Sequence, residues 1–244
     1  MQRFKIGAIT DEFSPDIEIA SKSMASLGMQ DSELRMVFGK NIIDLTDDEI
    51  DRVAGFGGQG VILAAIVVGK AKAIFEGAYA TMTQSFGPEA RGGSSSAQCI
   101  LSDDPILYPY ITQPDVLVVM SQEAYTKFSP ELKRGGILIV EQDLVHLGSV
   151  PAGARVYGVP ATRLAEELGR KVVLNIVMVG FLGAVTGLVD ADALRSAVKD
   201  SVPPALEKLN LQAFDKGFEY GSHLMQKLAE EGQAEPVLSF ESES

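Results

Sequence analysis

IDRVAGFGGQGVILAAIVVGKAKAIF, residues 50–75, sets a short β-prone run, a glycine-rich hexapeptide and a long apolar stretch in immediate succession. That order reads as strand, turn and helix: IDRVA predicts a strand beginning at Ile50, GFGGQG a tight turn, and VILAAIVVGKAKAIF a helix. Gly55, Gly57 and Gly60 form a G-x-G-x-x-G pattern at the junction, where backbone amides could approach a phosphate at a helix N-terminus. The pattern admits three readings. The glycines could simply allow a tight strand-to-helix turn, the turn could receive an anionic ligand or a partner segment, or it could hold a dinucleotide. The last requires an acid at the end of the second strand to hold the ribose. Glu76 has about the right spacing but precedes the predicted strand Ala78–Thr83 instead of ending it, which counts against NAD.

Downstream, Ser95–Leu101, Val116–Met120 and Ile137–Val140 predict further strands, alternating with helices such as Ser121–Phe128. Apolar runs such as DVLVVM and GILIVE suit strands buried on both faces. Strands alternating with helices indicate a three-layer α/β/α, Rossmann-like domain with a mostly parallel or mixed sheet over residues 50–228. Pro160–Leu168 predicts a short helix and Pro203–Leu228 a long one with Phe214, Phe218 and Leu224 near one face. Val172–Val189 runs 18 residues without a charge, close to the lower limit for crossing a bilayer. Asn175 and Thr186 inside it favour a buried helix, and Gly180, Gly183 and Gly187 thin one side so that another backbone could come close. Residues 229–244 read as a loose acidic tail.

Upstream, Phe4–Ile9, Pro15–Leu27 and Ser32–Phe38 read as strand, helix and strand, a βαβ-like appendage over residues 1–49 with nothing after it to complete a layer.

Composition bounds the function. The chain has 244 residues, 46% hydrophobic and 22% charged, with a formal net charge of -12. That describes a soluble folded protein and argues against sequence-independent nucleic-acid binding, which needs a basic face. The opening residues lack a secretory signal, so a cytoplasmic location is expected, without membrane attachment. One cysteine, Cys99, excludes an iron–sulfur cluster held by this chain alone, and two histidines, His146 and His223, make a zinc site improbable. Cys99 lies in the apolar alternation AQCIL and reads as core, His146 as a structural loop residue. Nothing assembles an acid–base pair, so no catalytic residue is assigned, and any chemistry must be shared with another chain. A second cluster, SFGPEARGG (Ser85–Gly93), places Glu89, Arg91 and Gly92 in a loop between two predicted strands. Arg91 could fork onto a phosphate or carboxylate, pair with a neighbouring subunit, or be solvated.

Five blocks carry a resemblance: GFGGQGV (Gly55–Val61), TQSFGPEARGGSSSA (Thr83–Ala97), SDDPILYP (Ser102–Pro109), QPDVLVVMSQEAY (Gln113–Tyr125) and GGILIVEQDLV (Gly135–Val145). In this order, from Ala54 to about Gln226, the chain resembles the gamma subunit of 2-oxoacid:ferredoxin oxidoreductases. SFGPEARGG and MSQEAY look more like the 2-oxoglutarate and branched-chain members than the pyruvate members. The resemblance implies one subunit of an oxidoreductase acting on an oxo group with ferredoxin as acceptor. Such a complex converts a 2-oxoacid and coenzyme A to acyl-CoA, CO2 and reduced ferredoxin. It further implies that thiamine diphosphate, Mg2+ and iron–sulfur clusters reside on alpha, beta and ferredoxin-like partner subunits, and that this chain is inactive alone. Gly55, Gly57, Gly58, Gln59, Gly60, Glu89, Arg91 and Gly92 are the matching positions for a coenzyme A cradle or active-site wall. Residues 1–49 depart from that family and resemble the first βαβ unit of a sugar-phosphate isomerase/epimerase TIM barrel. Two strands cannot close such a barrel, so the segment reads as a fusion or a misassembled frame, not a second activity.

Overall fold

The computed structural model describes residues 7–9, 31–33, 36–37, 40–41, 50–56, 59–86, 94–107 and 111–231. The chain divides into two compact units, Met1–Asp47 and Asp48–Ser244. In the first, β1 (Gly7–Ile9) pairs parallel with β2 (Asp31–Glu33), the relation a βαβ unit requires. The single strand expected over Ser32–Phe38 is divided. Ser32 and Glu33 belong to β2, whereas Met36 and Val37 form β3, which pairs antiparallel with β4 (Lys40–Asn41) instead of continuing beside β1. The predicted helix Pro15–Leu27 lies outside the described residues.

The second unit is built on six strands: β5 (Ile50–Phe56), β6 (Tyr79–Phe86), β7 (Ser94–Ser102), β8 (Val116–Val119), β9 (Ile137–Glu141) and β10 (Arg155–Val159). They lie in the order β10-β9-β8-β5-β7-β6. β5, β8, β9 and β10 are mutually parallel, and β7 runs antiparallel to both of its neighbours. The sheet is therefore mixed but mostly parallel.

Successive side chains of a strand face opposite ways, and both faces here are apolar. Val116, Val118, Ile137 and Ile139 join one core with Val61, Ala64, Val68, Phe181, Leu194 and Phe214, while Leu117, Val119, Leu138 and Val140 join a second with Ala124, Tyr125, Phe128 and Val145. The first core is supplied by helices α1 (Val61–Lys70), α3 (Ala161–Glu167), α4 (Leu174–Thr186), α5 (Ala191–Ser201) and α6 (Glu207–Glu230), the second by α2 (Gln122–Phe128). This is the three-layer α/β/α arrangement that the sequence predicts.

The helix expected through Phe75 does extend that far, with Ala71–Phe75 wound as a π turn. The uncharged run Val172–Val189 holds α4, buried along nearly its whole length, and no helix among the described residues is long and apolar enough to cross a membrane. Its C-terminal stop is Gly187 at φ +62°, a left-handed position that suits glycine. Two larger elements of this unit, β10 and α5, depart from the sequence expectation. β10, Arg-Val-Tyr-Gly-Val, is half-buried at the sheet edge, so it lacks the continuous apolar signature of β8 and β9. α5 is strongly amphipathic but short, and its clearest signal is Asp190, whose carboxylate accepts the Asp192 and Ala193 amides at 2.8 and 3.3 Å as an N-cap.

Candidate functional site

After β5 the chain passes through α1 into the β6–β7 hairpin on one side of β5, and then returns to place β8 on the other side. The strand order reverses there, so the carboxyl ends of β5 and β8 flank a switch point, the place where open α/β sheets bind ligands. Register adds a second feature. Phe56, the last residue of β5, pairs with Ser94, and Phe86 pairs with Ser95, so the β6–β7 connection leaves the sheet at the same edge as the glycine turn. The topology thus brings both clusters singled out in the sequence to one edge. Gly57, Gly58, Glu89, Arg91 and Gly92 themselves lie outside the described residues.

The described part of the turn is tightly held. Gly55 is a correction to the sequence reading, because it lies inside β5 opposite Ser95 and not in the turn. The antiparallel ladder with β7 carries the strand two residues past IDRVA, through Gly55 and Phe56. Gln59 donates from Nε2 to the Met120 carbonyl at 2.9 Å, joining the turn to the end of β8. Gly60 is the N-cap of α1 at φ +72°. Its carbonyl accepts the Ala64 amide at 3.0 Å and the Asn175 Nδ2 group at 3.2 Å. A Cβ at Gly60 would lie 2.7 Å from Asn175 Cγ, so both backbone conformation and space require glycine.

Next to this edge, Ser121 caps α2 by accepting the Ala124 amide at 3.2 Å. Gln122 clamps the loop after β9: its Oε1 accepts the His146 amide at 2.7 Å and its Nε2 donates to the His146 carbonyl at 3.3 Å. The Tyr125 hydroxyl accepts the Gly148 amide at 2.8 Å and donates to the Ser149 carbonyl at 3.1 Å. The SQEAY block is therefore a set of backbone clamps. His146 is held by its main chain, which agrees with a structural reading. At the end of β9, Glu141 is fully buried, and its carboxylate accepts the Thr162 amide at 3.1 Å and the Asp143 amide at 3.0 Å. Burial pushes its carboxyl above the ordinary range despite these donors. Glu141, Gln122, Tyr125 and Asn175 were not identified in advance as parts of this edge, although Asn175 stood out as a polar residue in an uncharged run.

Glu76 is placed far from the turn. It follows the π turn at the opposite end of α1, roughly 20 Å along the helix axis at 1.5 Å per residue. One carboxylate oxygen accepts the Asp190 amide at 2.6 Å and the other pairs with Lys72 at 3.3 Å. It anchors the start of α5 and cannot serve a ribose at the switch point. Cys99 is 1% exposed, and a Cβ at Gly69 would come within 3.3 Å of its Sγ, so it packs as core beneath α1. Among the described residues, no group of histidines, cysteines and carboxylates is placed to hold a metal.

An open, mostly parallel sheet with a strand-to-helix glycine turn beginning at its switch point defines the three-layer α/β class, in which ligands commonly bind at such switch points. Residues 51–220 match the pyruvate ferredoxin/flavodoxin oxidoreductase family, and the chain belongs to that family. It is 50% identical over 174 residues to the 2-oxoglutarate synthase subunit KorC of Methanothermobacter thermautotrophicus, covering 69% of this chain and 92% of that one. It is 44% identical over 175 residues to the same subunit of Methanocaldococcus jannaschii, covering 71% and 94%. The crystal structure of the keto/oxoacid ferredoxin oxidoreductase gamma subunit from Geobacter sulfurreducens superposes with a TM-score of 0.63 at 40% identity, covering 71% of this chain and 98% of that one. Identity falls to 33% against a ketoisovalerate oxidoreductase subunit VorA of M. thermautotrophicus, of which the match covers 35%, and against a pyruvate synthase subunit PorC of M. marburgensis, of which it covers 97%.

Proposed function

We propose that this chain is the gamma subunit of a 2-oxoglutarate:ferredoxin oxidoreductase, and that it supports the conversion of 2-oxoglutarate and coenzyme A to an acyl-CoA, CO2 and reduced ferredoxin. The observation that carries the substrate class is the higher identity to 2-oxoglutarate synthase subunits, 37–50%, than to ketoisovalerate and pyruvate subunits, 33–34%. The chain's own chemistry sets its part. A single cysteine cannot ligate an iron–sulfur cluster, which needs about four thiolates. Cluster-borne electron transfer therefore falls to partner subunits, and the family likeness implies that thiamine diphosphate with its Mg2+ belongs to alpha and beta chains, with a ferredoxin-like chain beside them in the cytoplasm and ferredoxin as acceptor. What this chain supplies is the wall at the carboxyl edge of its sheet. Gln59 and Gly60 are described there, and Gly57, Gly58, Glu89, Arg91 and Gly92 belong to the two loops that start from it. A negatively charged coenzyme A moiety would meet amides at the start of α1 and the Arg91 guanidinium. The rival reading, a stand-alone Rossmann-like module for a nucleotide or coenzyme A, loses support in its nucleotide form because Glu76, the candidate ribose acid, is committed elsewhere.

The test is reconstitution. The purified chain is expected to be colourless and to reduce no viologen dye with 2-oxoglutarate and coenzyme A, and mixing it with the thiamine- and cluster-bearing subunits should restore reduction. Dye turnover by the chain alone would overturn the subunit assignment. In the restored complex, Arg91→Ala should raise KM for coenzyme A by about tenfold or more, since a charge-assisted bond contributes about 1.5–3 kcal/mol. Unchanged KM together with unchanged assembly would mean that Arg91 is solvated.

A further inference from the structure

We propose that Asn175 is a positioning residue for coenzyme A use, holding the glycine turn in the shape that the ligand meets. This rests on the assignment of coenzyme A to that turn. Asn175 is the second residue of α4 and only 2% exposed, set among Leu174, Ile176 and Val177 in an apolar helix. A carboxamide buried in such surroundings is costly unless it is hydrogen-bonded, so packing alone does not account for it. Its Nδ2 donates to the Gly60 carbonyl across 115 residues of sequence. That carbonyl also accepts the first intrahelical bond of α1, from Ala64, so both of its lone pairs are engaged.

The geometry makes the contact more than a stitch between helices. Gly60 is left-handed at φ +72°, the residue from which α1 starts, and the Asn175 side chain fills the space where a Cβ would stand. On the other side Gln59 is tied to the Met120 carbonyl at the end of β8. Two adjacent turn residues are thus fixed from two different elements, β8 and α4. Preorganisation of this kind spares a ligand the cost of ordering the loop.

The test uses the reconstituted complex with four variants. Asn175→Asp keeps the shape but replaces the donor with a carboxylate facing a carbonyl. Asn175→Ala removes the group and carries the test if the Asp variant fails to assemble. Met178→Ala hollows the same helix at a residue 1% exposed that belongs to its apolar core, and Gln59→Ala probes the turn directly. Both Asn175 variants should raise KM for coenzyme A about tenfold while kcat and KM for the 2-oxoacid stay within about twofold. The amides of residues 59–64 should exchange faster with deuterium. Met178→Ala should lower the melting temperature without moving KM for coenzyme A. An equal rise in KM for Met178→Ala would reduce Asn175 to a structural residue and overturn the proposal. So would an unmoved KM in both Asn175 variants when Gln59→Ala does raise it. If neither Asn175→Asp nor Gln59→Ala moves KM, the coenzyme A reading of the turn fails and the proposal with it.

Discussion

Gly217→Ala is expected to destabilise the second unit by about 3 kcal/mol, at or above the upper end of ordinary overpacking. For a domain of this size that corresponds to a fall of roughly 6–12 °C in melting temperature, measured by circular dichroism. The reason is a backbone-to-backbone contact between α4 and α6. A Cβ added at Gly217 would collide with the Val177 carbonyl, and one at Gly180 with the Phe214 carbonyl, so the two helices block each other reciprocally. One turn further along, a Cβ at Gly221 would lie 2.7 Å from the Ala184 Cβ. Carbonyls cannot rotate away as the end of a flexible side chain can, so the helices must separate. Separation would loosen Phe181 and Phe214, 0% and 2% exposed, in the principal core. Intrinsic helix propensity acts the other way, favouring alanine by about 0.5–1 kcal/mol, so the sign of the result separates the two effects. Gly180→Ala should behave alike, and the double variant should cost less than the sum, because the second methyl enters a gap that the first has opened. A melting temperature unchanged or raised in Gly217→Ala would show that the helices are not in close contact.

The same glycines show what local sequence can and cannot disclose. Gly180 and Gly183 in an uncharged run announce a close approach, but the partners, the α6 backbone at Phe214 and Phe218 for Gly180 and the Leu194 side chain of α5 for Gly183, are fixed only by the tertiary fold. The sheet was legible for a similar reason. Residues 116–119 and 137–140 are apolar at every position, which suits strands covered on both faces, and the two cores divide them by alternation. β10 was not legible, because Arg155, Tyr157 and Gly158 on a half-buried edge strand give neither an alternating nor a continuous apolar signal. The candidate site divides along the same line. Its glycines can be read from the turn chemistry, whereas Gln59 to Met120 and Asn175 to Gly60 are side-chain-to-backbone bonds between distant segments and leave no periodic trace. Glu76 shows the opposite hazard, a residue whose spacing suggested a ribose ligand and whose partners are Lys72 and the Asp190 amide.

Glu141→Ala is expected to cost about 3 kcal/mol or more, which makes this carboxylate the most consequential polar group at the functional edge. Its Oε1 accepts the amide of Thr162, the second residue of α3, and its Oε2 accepts the amide of Asp143, so alanine empties a buried position and leaves two donors of half-buried bonds without their acceptor, at about 1–3 kcal/mol each where water does not replace it. The Glu141 backbone carbonyl also accepts the amides of Leu144 and Val145, at 3.2 and 3.0 Å, so the residue organises the start of the loop that Gln122 and Tyr125 clamp further on. Glu141→Gln keeps the volume and one acceptor, and should cost roughly half as much. The pH dependence distinguishes a charged joint from a neutral one. Burial raises the Glu141 carboxyl most, the Thr162 amide opposes it, and the charge of Asp143 raises it further. A group whose folded value lies above its unfolded value of about 4.3 binds its proton more tightly in the native state. Its contribution is therefore complete below the unfolded value and is lost as pH rises through the folded one. The stability advantage of the wild type over Glu141→Gln should accordingly shrink as pH is raised from about 4.3 toward neutrality. Urea titrations of both proteins across that interval measure the gap directly. A gap that widens with pH would mean that the amide donors outweigh burial and that the joint works best as a carboxylate.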